Sequence, residues 1–219
     1  MKNKEIYEQL HKDTLNRYRE RFYKEGETPK ALGWGCKEDQ LERFKTLCEN
    51  IDLAGKSILD LGCGFADLYG YLLSKKIECQ YIGVDVIPEF IESCKRKYDK
   101  GVFLQGDILL DNDKLPQADV VITLGTLNKR LDIMDNLIYT ENFMRQAFLK
   151  AKEAFVMDFL STHLTKEYPK EEFVYYHDPK EVLDMAFELT DDVKLLHNYR
   201  PIPQRECMLF MYKMENKHV

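Results

Sequence analysis

The chain has 219 residues, 44% of them hydrophobic, and a formal net charge of −6 at pH 7. This length and hydrophobic content predict one large domain that buries a core, with or without a helical cap. The negative charge argues against nucleic acid as a partner, and no apolar run approaches the roughly 20 residues that span a bilayer. We therefore expect a soluble, cytoplasmic protein without a signal peptide, because the first residues are charged throughout.

The six cysteines show no C-x-x-C pair and no spacing typical of metal ligands. We expect free thiols in a reducing compartment rather than disulfides. No other cluster of histidines and carboxylates has ligand spacing, so the sequence predicts an activity that needs no metal ion.

The first 56 residues are predicted to form a helical cap or lid. Over residues 1–24, apolar side chains recur near every fourth position and predict an amphipathic helix. A second helix is predicted to be capped by Asp39 and to bury Leu41, Phe44 and Leu47 on one face. Between these helices Trp34, the only tryptophan, lies on a glycine-flanked loop, where it either plugs the core or roofs a ligand site.

A nucleotide-binding corner follows this cap. The apolar run Ser57–Leu61 predicts a strand, Gly62-Cys63-Gly64 a turn, and Phe65 begins a helix. Glycines let the backbone approach a ligand closely, and the N-terminus of the helix presents free N–H groups. Asp67 stands where the dinucleotide pattern G-x-G-x-x-G/A requires glycine or alanine, so that pattern fails.

Further strands and helices alternate along the rest of the chain. The alternation predicts an α/β fold with a doubly wound, mostly parallel sheet. The predicted strands are Ser57–Leu61, Gln80–Val86, Val102–Gln105, Asp119–Leu124, Ala154–Leu160, Val193–Tyr199 and Cys207–Met214. Helices are predicted from Pro88, from about Asp132 to Lys150 with Ile138 buried, and from Asp178 to about Leu189. Residues 161–177 form an insertion rich in aromatic and charged side chains.

The corner resembles the first motif of the class I S-adenosylmethionine (SAM)-dependent methyltransferases, whose usual form is LDxGxGxG. Leu59-Asp60, Gly62 and Gly64 match it, and Ala66 replaces the third glycine. The resemblance covers about residues 57–214. It implies a Rossmann-like, seven-stranded sheet with an antiparallel last strand, and a SAM-binding domain over residues 57–219.

Ligands of open α/β sheets bind beyond the carboxyl ends of the strands. Asp85 ends the second strand, 21 residues after Gly64, and is predicted to accept hydrogen bonds from ribose hydroxyls. By the resemblance, Asp107 and Ile108 would hold the adenine edge, and the Leu124 carbonyl would contact the methionine amino group. The predicted SAM-binding residues are Asp60, Gly62, Cys63, Gly64, Asp85, Val86, Ile87, Asp107, Ile108, Leu124 and, as a possible roof, Trp34.

The fourth strand is where such an enzyme would meet its acceptor. Enzymes that methylate nucleic-acid bases often carry Asp/Asn-Pro-Pro-aromatic there, and this chain has Leu124-Gly125-Thr126-Leu127-Asn128 instead. The difference argues against a nucleic-acid base as acceptor. Asn128 is either a substrate contact or a turn cap.

The last third of the chain supplies further candidates. Tyr175, Tyr176 and His177 are predicted to orient the acceptor and take its proton. Tyr199, Arg200 and Arg205 are predicted to bind the acceptor, the arginines by clamping a phosphate or carboxylate. The alternatives are aromatic packing at the rim and solvated surface charges. In its chemistry, this combination of tyrosines, a histidine and arginines resembles the substrate site of the phosphoethanolamine N-methyltransferases.

Together these features predict a SAM-dependent methyltransferase that releases S-adenosylhomocysteine (SAH). The expected acceptor is a small polar metabolite, first of all an amine nitrogen, and phosphorylated amines such as phosphoethanolamine are among the candidates. The alternatives are O-methylation of a hydroxyl compound and a non-catalytic SAM-binding partner subunit. We expect no nucleic-acid or membrane partner.

Overall fold

The computed structural model describes residues 2–168, 170–199 and 205–214. Seven strands form one sheet. They are β1 (Ser57–Leu61), β2 (Gln80–Asp85), β3 (Val102–Gln105), β4 (Ala118–Thr123), β5 (Ala151–Leu160), β6 (Val193–Leu196) and β7 (Glu206–Tyr212). Their order across the sheet is β3-β2-β1-β4-β5-β7-β6. Strands β1 to β5 pair in parallel, and β7 runs antiparallel to both β5 and β6. The predicted doubly wound sheet with its antiparallel last strand is confirmed.

Over the residues described, six α-helices accompany the sheet: α1 (Lys2–Glu25), α2 (Lys37–Asn50), α3 (Asp67–Ser74), α4 (Pro88–Lys97), α5 (Asn136–Lys150) and α6 (Pro179–Phe187). Pro88 and Pro179 each occupy the first turn of their helix, where the missing N–H of proline costs little. Within the described ranges, no helix is long and apolar enough to cross a membrane.

The central strands are buried on both faces, as expected for parallel strands covered by helices. One face contributes Leu59, Val121, Phe155 and Leu209 to one hydrophobic cluster. The alternate positions Ile58, Val120, Val156 and Phe210 belong to a second cluster on the other face. The period-2 alternation of the strands therefore builds two layers of core around one sheet.

Helix α2 differs from its prediction in its start and in its buried face. Cys36 occupies the N-cap position without a side-chain bond, and Asp39 lies inside the first turn. Leu41, predicted to be buried, is 38% exposed, whereas Arg43 is 6% exposed. The helix is rotated because the guanidinium of Arg43 reaches buried carboxylates, and this tertiary interaction outweighs the apolar pattern.

The partners of Arg43 are Asp158 on β5 and Glu206 on β7. The Nε atom of Arg43 lies 3.4 Å from Oδ2 of Asp158, and its Nη2 forms a close ion pair with Glu206. The hydroxyl of Tyr199 also donates to Glu206, at 3.5 Å. Burial raises the pKa of Glu206 to about 7, although Arg43 opposes this. This group, the Arg43 cluster, joins α2 to the antiparallel side of the sheet.

The start of α5 also differs from the prediction. Asp135 caps the helix by accepting from the N–H groups of Leu137 and Ile138, so the helix begins at Asn136 rather than near Asp132. Ile138, predicted to be buried, is 51% exposed. The cap fixes the rotation of the helix and turns Ile138 toward solvent.

Helix α1 packs across the end of the sheet where the glycine turn lies. Phe22 and Tyr18 contact Phe90 with ring centroids 5.9 and 6.4 Å apart, and Phe22 also contacts Phe65. Phe65 and Phe90 are themselves buried together with Ile87. This aromatic cluster anchors the N-terminal helix above the carboxyl ends of β1 and β2.

Candidate active site

The turn after β1 has the backbone that its glycines permit. Gly62 and Gly64 have φ angles of +81° and +54°. A Cβ atom on Gly62 would lie 2.5 Å from Oγ1 of Thr126, and one on Gly64 would lie 2.9 Å from the side chain of Leu32. Both positions therefore require glycine on two grounds, the left-handed backbone and the close approach of neighbours.

Ala66 adopts the same left-handed region, with φ +55° and ψ +39°, at the cap of α3. A left-handed residue other than glycine costs roughly 1–2 kcal/mol because Cβ crowds the following carbonyl oxygen. The conformation explains why the related motif has a glycine at this position, and the alanine retains the backbone path.

Asp85 holds the glycine turn from the neighbouring strand. Its Oδ2 accepts a hydrogen bond from the Gly64 N–H and its Oδ1 accepts one from the Ile87 N–H, each at 2.9 Å. Burial raises the pKa of Asp85 to about 6, while these backbone donors act in the opposite direction. Asp60, beneath the turn, accepts from the Tyr81 hydroxyl, and burial raises its pKa to about 7.

A cavity of about 170 Å³ opens above this turn. All eleven residues predicted to bind SAM line it: Asp60, Gly62, Cys63, Gly64, Asp85, Val86, Ile87, Asp107, Ile108, Leu124 and Trp34. Residues that close four successive strands thus come together at one edge of the sheet, as the parallel topology requires.

Trp34 forms part of the wall of this cavity. Its ring lies so close to Gly125 that a Cβ there would be 2.8 Å from Cη2 of Trp34. The guanidinium of Arg43 lies over the indole, 4.5 Å from the ring centroid. Of the two alternatives for Trp34, its position agrees with the roof of a ligand site.

Helix α1 contributes a wall that the sequence reasoning did not assign. Tyr7, Leu10, His11, Thr14 and Tyr18 all line the cavity. The sequence did contain a sign of this wall: His11 and Thr14 are polar residues on a face of α1 that is otherwise apolar and aromatic. The Nδ1 atom of His11 lies 3.1 Å from Oδ2 of Asp107, and this hydrogen bond raises the pKa of His11 against the effect of burial.

Lys129 is a second lining residue that the sequence reasoning missed. It follows β4 and is adjacent to Asn128, which was singled out instead. Burial and the nearby Arg17 lower the pKa of Lys129, and Asp13 and Asp132 act in the opposite direction. A basic residue just beyond a central strand end was the signal that could have identified it.

The predicted catalytic residues do not line the cavity. His177 is fully buried, its Nε2 lies 3.0 Å from Oγ1 of Thr140, and burial lowers its pKa to about 4. Tyr176 is also buried, and its hydroxyl bonds to the backbone of Glu171 and to Arg205. Tyr175 packs edge-on against His177. These positions disagree with the predicted catalytic role, because a proton acceptor must reach the substrate.

Three of the four predicted acceptor-binding residues, Asn128, Tyr199 and Arg205, likewise do not line the cavity. Asn128 accepts from the backbone of Leu160 through its side chain and from Tyr175 through its carbonyl, which is the role of a turn cap. Tyr199 belongs to the Arg43 cluster. Arg205 forms an ion pair with Glu171 at 3.0 Å. Arg200 lies outside the described residues.

The lining residues fit a nucleoside with an amino-acid tail. The two glycines leave a cradle that a Cβ would fill, Asp85 and Asp107 offer carboxylates, and Val86, Ile87 and Ile108 offer apolar surface. Carboxylates can accept bonds from ribose hydroxyls and from an adenine amino group, and flat apolar surface suits the base. Across the described ranges, no group of three or more His, Cys, Asp or Glu residues is arranged to hold a metal ion.

Comparisons with known proteins agree with this geometry. The family model described as "Methyltransferase domain" matches residues 52–196, about two thirds of the chain. A Mycobacterium tuberculosis protein named "Putative methyltransferase Rv1506c" is 25% identical over 146 residues, which cover 65% of this chain and 86% of that protein.

Solved structures share the fold at low identity. Magnesium protoporphyrin IX methyltransferase (ChlM) of Synechocystis PCC 6803, crystallised with SAH, has a TM-score of 0.62 at 13% identity, covering 95% of this chain and 98% of that one. The small RNA methyltransferase HEN1 has a TM-score of 0.65 at 14% identity, covering 81% of this chain and 25% of that one. The family match, the sheet order and the glycine-turn cavity lead to one conclusion: the chain belongs to the class I SAM-dependent methyltransferases.

Proposed function

We propose that this enzyme transfers the methyl group of SAM to an amine nitrogen of a small polar molecule. The observation that carries this proposal is the composition of one part of the cavity, which we name the acceptor end. It is the part lined by residues that follow β4 in the chain: Gly125, Thr126, Leu127, Lys129 and Leu131. The acceptor end has no histidine and no carboxylate among these residues.

This composition favours an amine over a hydroxyl acceptor. An amine that has lost its ammonium proton to solvent has a free lone pair, attacks without a protein base and releases its second proton to solvent after the transfer, whereas a hydroxyl gains from losing its proton in the transition state. Bound SAM supplies an electrophilic methyl group on a positively charged sulfur. The chain's own contribution is then to align the acceptor and exclude water, which Trp34 and α1 are placed to do.

The enclosure of the cavity supports a small acceptor. Residues 1–56 are proposed to serve as a cap, since α1 lines the cavity with Tyr7, His11 and Tyr18 and is anchored at Phe90. The fold relatives named above include methyltransferases for a porphyrin and for small RNA, so the fold itself does not select the acceptor. The net charge of −6 disfavours RNA, whose phosphates attract basic surfaces.

The second candidate is O-methylation, which would use the same cavity. His11 is the observation in its favour, because it lines the cavity and its hydrogen bond to Asp107 raises its pKa, which makes the imidazole a stronger base. Its hydrogen bond to Asp107 engages it with the residue predicted to hold the adenine, so His11 already has a partner there.

The proposal can be tested with SAM labelled with carbon-13 in its methyl group. The purified protein is incubated with this SAM and pools of small amines, hydroxyl compounds and short RNA, and the products are observed by mass spectrometry and NMR. We expect label in an amine pool, at a carbon shift typical of N-methyl. Label only in hydroxyl compounds would favour the second candidate, and label only in RNA would reject a small acceptor. Asp85→Asn is the control for dependence on the cofactor cavity.

A further inference from the structure

Two cations without an ion-pair partner among the described residues lie near each other at the edge of the acceptor end: Lys129 lines the cavity, and Arg17 of α1 lies beside it rather than among the lining residues. Lys129 is partly buried, and Arg17 is near enough to affect its charge. Among the residues that the structure describes, no carboxylate lies within ion-pair distance of either one. The closest acidic influences on Lys129, Asp13 and Asp132, are electrostatic only.

The backbone around these cations holds them in place. Lys129 forms an isolated antiparallel bridge with Val174, and the N–H of Arg130 donates to the carbonyl of Phe173 at 3.1 Å. The guanidinium of Arg17 in turn lies over the ring of Phe173, 5.7 Å from its centroid. Three parts of the chain therefore come together here: segment 170–175, the residues that follow β4, and helix α1.

Placing two positive charges together in a partly buried site is unfavourable unless something compensates them. Burial disfavours the charged lysine, and Arg17 adds repulsion, so both effects lower the pKa of Lys129. An anion placed between the two side chains would remove the repulsion and gain charge-assisted hydrogen bonds from each. The arrangement is thus suited to receive a negative group from outside the chain.

We propose that Lys129 and Arg17 bind an anionic group, a carboxylate or a phosphate, carried by the methyl acceptor. The inference rests on the function proposed above, because it describes the acceptor of that reaction. We assign Lys129 to the acceptor side rather than the cofactor side, since it follows the end of β4, where the acceptor is expected. We thus assign to Lys129 and Arg17 the anion-binding role that the sequence predicted for Arg205, because Arg205 already forms an ion pair with Glu171.

The test uses the full chain saturated with SAH, so that anion sites belonging to the cofactor are already filled. Inorganic phosphate and acetate are titrated separately, and the backbone amides of Lys129 and Arg130 are followed by NMR. The variants are Lys129→Met, Lys129→Arg and Arg17→Gln. Lys12→Met, on the exposed face of α1, is the charge-matched control.

We expect binding of at least one anion, weakened about tenfold by Lys129→Met and by Arg17→Gln, and changed no more than about twofold by Lys129→Arg or Lys12→Met. Preference for phosphate or for acetate then identifies the anion. Affinity for SAH should stay constant in all variants.

Three results would overturn the proposal in distinguishable ways. Equal anion binding by the wild type and Lys129→Met, or no binding by the wild type, removes the anion site and leaves the methyltransferase function intact. A loss of SAH affinity in Lys129→Met assigns the lysine to the cofactor instead. A wild-type protein that binds no SAH contradicts the proposed function itself, and the inference with it.

Discussion

The Nδ1 atom of His11 lies 3.1 Å from Oδ2 of Asp107, across 96 positions of sequence. Asp107 is the carboxylate expected to receive the adenine amino group, so α1 holds the acid that the cofactor would use. The hydrogen bond raises the pKa of His11, which means that the pair is strongest when the imidazole is protonated. Its contribution is present at low pH and is lost as the pH rises through the raised pKa.

We predict that SAH binds more tightly as the pH rises above neutrality, by about fivefold or ~1 kcal/mol, because neutral His11 competes less for Asp107. In His11→Asn this dependence should disappear, since an amide bonds to the carboxylate but carries no charge. Calorimetric titrations between pH 7 and pH 9 provide the measurement. Parallel curves for the two proteins would show that His11 does not compete with the cofactor.

Asp85 gives a second prediction, at lower pH. Asp85→Asn should weaken SAH binding roughly ten- to a hundredfold, or ~1.5–3 kcal/mol, the range for hydrogen bonds to a charged group. In the wild type the affinity should also fall below about pH 6, where the carboxyl gains its proton, and the variant should lack this decline. Asp113→Asn, at an exposed acid, is the control.

Asp85→Asn should also lower the stability of the protein. The carboxylate accepts from two backbone N–H groups, and an amide supplies only one acceptor oxygen. We expect the free energy of unfolding to fall by ~1–3 kcal/mol in urea titrations. Unchanged SAH affinity in a folded variant would place the ribose elsewhere.

His177 should contribute to stability rather than to turnover. It is buried in the neutral form with a pKa of about 4, so the folded state resists the proton that the unfolded chain accepts near pH 6.5. Its stabilising effect is complete above pH 6.5 and is lost as the pH falls, by about 2 kcal/mol between pH 7 and pH 5.

His177→Gln should remove this pH-dependent part, which appears as the difference in unfolding free energy between variant and wild type at each pH. Affinity for SAH should not change at pH 7, because the side chain does not line the cavity. A variant of normal stability that binds SAH normally but has lost its turnover would restore the catalytic role predicted from the sequence.

Trp34 offers a direct optical signal, because it is the only tryptophan and it lines the cavity. Binding of SAH should change the tryptophan fluorescence of the wild type, since the ligand replaces water beside the indole. Trp34→Phe should lose the signal while calorimetry still detects SAH, weakened by less than about tenfold. Fluorescence that does not respond to saturating SAH would move Trp34 away from the bound ligand.

The cofactor side of this site was predictable because its information is local. A strand, a glycine turn and the acids at or just after the ends of β2 and β3 are short patterns, and the parallel sheet brings these ends to one edge. Packing between distant segments is not encoded in this way. The periodicity of α1 predicts a helix, but it does not predict that His11 contacts Asp107. The run Tyr175, Tyr176 and His177 suggests polar chemistry, but it does not reveal that His177 and Tyr176 form hydrogen bonds with other residues of the protein instead of facing a ligand.

The Arg43 cluster has a consequence for the unfolding of the chain. It ties a helix that precedes the first strand to strands β5 and β7, with Arg43 and Glu206 163 positions apart. Breaking a buried ion pair leaves an unpaired charge in the interior, at a cost of several kcal/mol. Unfolding α2 while β5 and β7 stay folded, or the reverse, is therefore unfavourable. Amide hydrogens of α2 and β7 should therefore exchange with solvent at similar, slow rates in one cooperative opening. The sequence suggests a boundary near residue 56, between the helical cap and the SAM-binding domain. The Arg43 cluster predicts that the two parts nevertheless unfold together.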